Sequence, residues 1–119
     1  MTKNRKYAII AVDFDGTLCQ DCYPEIGEPN YPLLYYLLEQ KQRGAKLILW
    51  TCRCSVALAQ AVAWCESLGL TFDSINQNLP ENIQKYGTDT RKIYADLYID
   101  DRSINWSYQK EAGYLLKEA

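Results

Sequence analysis

Two carboxylates stand two residues apart in Asp13-Phe14-Asp15-Gly16-Thr17-Leu18, directly after an apolar run that begins at Tyr7. A strand ending in this way puts Asp13 at its C-terminal edge, and Gly16-Thr17 turns the chain away just beyond. Ligand sites of open α/β sheets lie at that edge. Free carboxylates crowded there repel each other and need a cation or a shared proton. Magnesium meets the need, because it takes oxygen ligands and few protein carboxylates when a phosphate supplies the rest. A bare D-x-D-G can also be a turn whose Asp side chains bond their own backbone. The other strand ends therefore have to supply the company that chemistry requires.

Thr51 closes the apolar run Leu47-Ile48-Leu49-Trp50-Thr51. A hydroxyl there, with the N–H groups of the following turn, suits one oxygen of a phosphate. Asp100-Asp101 ends a further apolar stretch, Tyr98-Ile99, and adds two acids. Arg53 and Arg102 each come just after one of these residues, placed to meet a substrate or to pair with the acids.

The elements that carry these residues alternate between strand and helix. Residues 7–13 form a near-continuous apolar run, as in a central parallel strand covered on both faces. The stretch 19–29 is polar, carries Pro and Gly, and reads as a loop. Asn30 is placed to cap a helix to about Gln42, with Pro32 in its first turn, Leu34, Leu37 and Leu38 on one face and Gly44 beyond its end. Residues 45–51 are the second strand. Ser55 is expected to cap a helix striped with Leu58, Val62, Cys65 and Leu68 and ended by Gly69. A short third strand is expected at 72–76, a loop with one helical turn near 81–85 at 78–91, and a last strand at 93–99. Residues 103–119 read as a turn at Asn105-Trp106 followed by a short helix or strand. The alternation implies right-handed crossovers and a doubly wound parallel sheet in a single α/β domain.

The string D-F-D-G-T-L, the Thr after a second apolar strand and the acidic pair after the last one resemble, in order, motifs of the haloacid dehalogenase (HAD) superfamily, whose members are mostly phosphatases. The resemblance implies that Asp13 is the nucleophile and Asp15 the general acid/base. It places magnesium on the Asp13 carboxylate, the Asp15 backbone carbonyl and Asp100, with Asp101 bound through water or orienting its neighbour. Thr51 and a lysine would hold the phosphate oxygens. Lys92 in Arg91-Lys92-Ile93-Tyr94-Ala95-Asp96 looks like the lysine that some small members carry before the last motif, and Lys85 is the alternative. With only 19–29 between the first motif and the next helix, the chain resembles a capless member. A macromolecular substrate, a neighbouring subunit in a homo-oligomer, or 19–29 itself would then have to cover the site. Tyr23, Tyr31 and Trp106 are candidates to stack on a sugar or base.

Composition narrows the field. The 119 residues fit one domain, and 48% are hydrophobic, enough for a core. A net charge of -2 with scattered signs argues against a dedicated nucleic-acid binder, although Lys3, Arg5 and Lys6 cluster at the N-terminus. The chain has no His, which excludes Ser-His-Asp and Cys-His catalysis and leaves the carboxylates holding the chemistry. Five cysteines are an odd number for a disulfide framework. Cys19-x-x-Cys22 with Cys52-x-Cys54 could form a zinc site, but the second spacing is unusual for one, and free thiols in a reducing cytoplasm are expected. No apolar run approaches a membrane span or a secretory leader. A phosphorylation switch of the receiver type is the rival reading: it shares the fold class, the acidic magnesium site, the Thr and the Lys. Its acidic pair follows the first strand, whereas here the D-x-D comes first and the pair last. A domain that binds phosphorylated ligands without turnover is a further alternative.

Overall fold

The computed structural model describes residues 7–103. Strand β1 (Ile9–Val12) leads into a hairpin of β2 (Cys19–Cys22) and β3 (Glu25–Pro29). Helix α1 (Tyr31–Gln42), β4 (Lys46–Leu49), α2 (Ser55–Ser67), β5 (Ser74–Ile75), α3 (Pro80–Tyr86) and β6 (Leu97–Ile99) follow. β5, β4, β1 and β6 lie side by side in that order, all parallel. The fold is thus α/β, one domain around a four-stranded sheet.

Period-two alternation divides the apolar strands between two cores. Ile10 and Val12 of β1 and Leu47 and Leu49 of β4 join Leu34 and Leu37 of α1 and Ala61 and Cys65 of α2. The residues between them, Ala11 and Ile48, meet Leu79 and Ile93. Strands buried on both faces must be apolar throughout, which is why neither run showed a polar alternation. The path goes outward from β1 to β4 to β5, then returns across the sheet to β6 on the other side of β1. The strand order therefore reverses at β1.

Helix α1 starts where its sequence indicated. The Asn30 side chain accepts a hydrogen bond from Leu33 N at 3.4 Å and donates one to Thr17 O at 2.9 Å. The cap thus ties the helix to the turn that follows Asp15. Gly44 and Gly69 sit just beyond α1 and α2 with φ of 99° and 85°, the left-handed backbone that ends helices.

Four expectations differ from the fold. Residues 19–29 are an antiparallel hairpin with a register shift between Cys19 and Asp21, rather than a loop. Its strands pair with each other, and residues 20–25 are exposed, so burial imposed no alternation on the sequence. Gly27 permits the close strand approach: a Cβ there would lie 2.3 Å from Gln20 O. Ser55 is the first residue of α2 and the cap position falls on Cys54, which makes no side-chain capping bond. The strand expected at 72–76 pairs only over two residues. The one expected at 93–99 pairs only from Leu97, because Ile93 leaves the sheet for the second core. Asp96 then closes the start of β1, its Oδ2 accepting from Ala8 N at 3.1 Å and Ile9 N at 2.9 Å. Residues 104–119, with Trp106, and the basic residues Lys3, Arg5 and Lys6 lie outside the described residues. Among the described residues no helix is long and apolar enough to cross a membrane.

Leu47 is fully buried at the centre of the first core. Leu47→Ala is expected to cost about 2–5 kcal/mol of stability, read as a lowered urea midpoint with an unchanged slope.

Candidate functional site

Strand register assembles the site. Val12 pairs with Ile99 on one side and Leu49 on the other, and Leu49 pairs with Ile75. The next residues along these strands are Asp13, Asp100, Trp50 and Asn76, so four neighbouring strand ends deliver them to one edge. The backbone bonding carries on into them: Asp13 N donates to Ile99 O at 2.9 Å, Trp50 N to Val12 O at 2.8 Å and Asn76 N to Leu49 O at 2.8 Å. A cavity of about 640 Å³ opens at this edge. It lies outside the carboxyl ends of parallel strands, where the strand order reverses, the usual ligand position in such sheets.

Carboxylates dominate its lining. Single oxygens of Asp13, Asp100 and Asp101 lie within 4.8 Å of one another. Asp13 is the most enclosed of the three, and burial pushes its carboxyl up from 3.8 to about 6. A hydrogen bond from the Phe14 backbone opposes the rise, and the charges of Asp100, Asp101 and Asp15 add to it. Thr17 Oγ1 donates to Asp13 Oδ2 over a long 3.5 Å. Gly16 has φ +80°, and a Cβ on it would lie 2.4 Å from Asp101 Oδ2. The glycine thus serves both the turn and the approach of the acidic pair.

Thr51 and Asn76 line the other side. The Asn76 side-chain oxygen accepts from Thr51 N at 2.8 Å, and Thr51 Oγ1 accepts from Arg53 N at 3.1 Å. The Thr hydroxyl is thereby fixed at the start of a turn. Asn76 and Trp50 were not among the candidates drawn from the sequence, and Cys52, which also lines the cavity, was considered only for zinc. Asn76 ends its strand as Asp13 and Thr51 end theirs, so the same strand-end rule would have found it. Asp21, from β2, also lines the cavity; nothing marked it while 19–29 read as a loop.

Of the two readings open for Arg53, pairing with an acid is the one found, and Lys92 lies elsewhere than expected. Arg53 does not face the cavity. It is 2% exposed, and its Nε and Nη2 each hold one oxygen of Asp15 at 2.8 Å. Charge-assisted, bidentate pairing of this kind is strong, and removing one partner of a buried pair costs about 3–5 kcal/mol. Lys92 lines a separate cavity with Asn78 and Tyr98, its Nζ 5.9 Å from the Tyr98 ring centroid. The physical reason is Asn78. It is buried, accepts from Tyr94 N at 2.7 Å and donates to Asp89 at 2.7 Å, which fixes the segment carrying Lys92 over the second core. Lys85 rests over the Tyr86 ring instead. Arg102 is the cation among the described residues that lines the acidic cavity, its N donating to Asp100 Oδ1 at 3.2 Å.

The cysteines are dispersed between core and surface. Cys19 and Cys65 are buried, Cys22, Cys52 and Cys54 are exposed, and all five are free thiols. Burial pushes the Cys65 thiol up to about 12, so it stays protonated and packs as a small apolar group.

A solved structure of a conserved protein from Bacteroides thetaiotaomicron matches with a TM-score of 0.71 and 38% sequence identity, over 92% of this chain and 89% of that one. The chain belongs to the family of that protein. No protein-family model and no curated protein matches the chain.

The raised Asp13 carboxyl has a consequence for stability. Folded Asp13 keeps its proton to about pH 6, whereas the unfolded chain releases it near 3.8. Between those values the folded state binds more protons, so stability falls as pH rises and levels off above the folded value. Thermal melting without divalent cations is expected to show this fall, and Asp13→Asn to flatten it.

Proposed function

We propose that the protein is a magnesium-dependent phosphatase of the HAD type, acting through an aspartyl-phosphate on Asp13. The observation that supports this most is the placement of Asp13 beside Asp100 and Asp101 across paired strands, facing Thr51 at the order reversal. The β5-β4-β1-β6 order, with core residues packed on both faces, fits the doubly wound core of that superfamily. An all-oxygen donor set whose oxygens already converge fits a hard cation. Asp13, Asp100 and Asp101 would hold magnesium together with the Asp15 backbone carbonyl. Bound there, it supplies the positive charge that neutralises phosphate oxygens and keeps Asp13 ionised.

Asp13 Oδ attacks phosphorus, the bond to the ester oxygen breaks, and that oxygen takes a proton from Asp15. Asp15 then removes a proton from the water that attacks phosphorus, and phosphate leaves Asp13. Held by Arg53, Asp15 still has lone pairs free to accept that proton. The Thr51 hydroxyl, which accepts from Arg53 N and keeps its own proton to donate, binds a phosphate oxygen where charge builds up. Arg102 stands at the cavity where the resemblance implies a lysine. The hairpin is the insertion after the first motif, in keeping with a capless enzyme, and the substrate is a phosphomonoester whose remainder reaches the open side of the cavity.

Phosphate release from an aryl phosphate is expected to require magnesium and to fall by at least about 10³-fold in Asp13→Asn. Undiminished turnover after exhaustive chelation would contradict the metal's role. A phosphorylated Asp13 that persists for hours, with no turnover, would favour the switch. Magnesium is also expected to raise the melting temperature above pH 6 in the wild type and not in Asp100→Asn, a readout independent of activity.

A further inference from the structure

A guanidinium has five N–H groups, and in Arg53 each has an acceptor. Two go to the Asp15 carboxylate; Nη2 also donates to Glu25 O at 2.9 Å, and Nη1 donates to Pro24 O at 3.1 Å and Ala57 O at 3.2 Å. The Phe14 and Tyr23 ring centroids lie 4.9 and 5.0 Å from its Cζ. One side chain therefore joins three segments: the D-x-D turn, the tip of the hairpin and the first turn of α2. A guanidinium so committed would have to give up these acceptors to bind a phosphate. Its position just after Thr51 serves another purpose.

We propose that Arg53 is a positioning residue that holds the Asp15 carboxylate against the hairpin tip, so that Asp15 and the hairpin move as one unit and the ester oxygen is protonated on the hairpin side of the cavity. Lifting Tyr23, Pro24 and Glu25 strips the guanidinium of two carbonyl acceptors and one ring, and its hold on Asp15 loosens with them. Asp21 reaches the cavity from the same hairpin, so the leaving group meets residues whose position Arg53 sets. Asp100 and Asp101 stand at the β6 end, which leaves the hairpin side for the departing alcohol. The inference rests on the phosphatase reading, and it makes esters that need a proton to depart the ones that depend on Arg53.

The test compares an aryl phosphate, whose leaving group departs without a proton, with an alkyl phosphate, whose leaving group needs one. For both, kcat/KM reports the steps up to departure of the alcohol. Arg53→Lys keeps the charge and loses the fork. It is expected to lower kcat/KM about 10²-fold for the alkyl ester and less than about tenfold for the aryl ester. The double variant with Asp15→Asn should be no worse on the alkyl ester than Asp15→Asn alone. An equal loss on both esters would make Arg53 a substrate-binding or merely structural residue and overturn the proposal. Should Arg53→Lys not fold, Tyr23→Ala removes an exposed ring from the guanidinium and is expected to shift the alkyl-to-aryl ratio the same way; an unchanged ratio counts against the proposal. Hydrogen exchange without substrate gives a separate readout. In Asp15→Asn the amides of 19–29 should exchange about tenfold faster, with those of α1 unchanged. Equal hairpin rates would overturn the link. Faster hairpin exchange in Asp15→Asn, together with a wild type that cleaves neither ester, keeps the link and overturns the phosphatase reading instead.

Discussion

Parallel pairing of β1 with β6 is the constraint on which the site depends. Once Val12 lies opposite Ile99, Asp13 and Asp100 must emerge side by side, and Asp101 comes with them. A stable protein would gain nothing from this crowding: burial and neighbouring charges lift the Asp13 carboxyl to about 6, so ionising it works against the fold. The molecule accepts that opposition in one place, at the edge where the sheet's chain order reverses, while the apolar residues of the same strands hold the strand ends in register. Such a concentration of unfavourable electrostatics on a rigid frame is the usual mark of a site that expects a cation or an anionic ligand.

The fourth acid is handled differently. Asp15 is two residues from Asp13 yet does not belong to the oxygen cluster, because Arg53 draws it toward the hairpin. The two carboxylates of the D-x-D therefore sit in unlike surroundings. One is crowded by like charges, and the other is matched to a buried guanidinium that also binds the hairpin's backbone. The two acids of the D-x-D thus differ in their partners as well as in their positions. The same division gives the hairpin a share in the site despite its small size and exposed surface.

Much of this was legible in the sequence, for identifiable reasons. The strands at 7–13 and 45–51 announced themselves because both faces are buried and every position must be apolar. Asn30, Gly44 and Gly69 marked helix limits through backbone chemistry that is local. The acids at 13, 100 and 101 were visible because each follows an apolar run. What stayed hidden depends on partners distant in sequence. The hairpin is stabilised by its own pairing and by Arg53, whose acceptors lie about 30 residues away or more along the chain except for Ala57, so composition alone showed a polar loop. Lys92 went astray because its place is set by the buried amide of Asn78 and by Ile93 leaving the sheet, neither of which periodicity encodes. Asn76 was missed because β5 is only two residues long.

Covalent phosphorylation of Asp13 during turnover is the step that separates a phosphatase of this type from every other use of the acidic edge. Acid quenching during steady-state cleavage of a phosphoester with magnesium, followed by borohydride reduction and peptide mass spectrometry, converts an aspartyl-phosphate to homoserine at the residue that carried it. Homoserine is expected at position 13, and nowhere else, in wild type. Turnover that proceeds with Asp13 unmodified, or with homoserine at another carboxylate, would rule out Asp13 as the nucleophile.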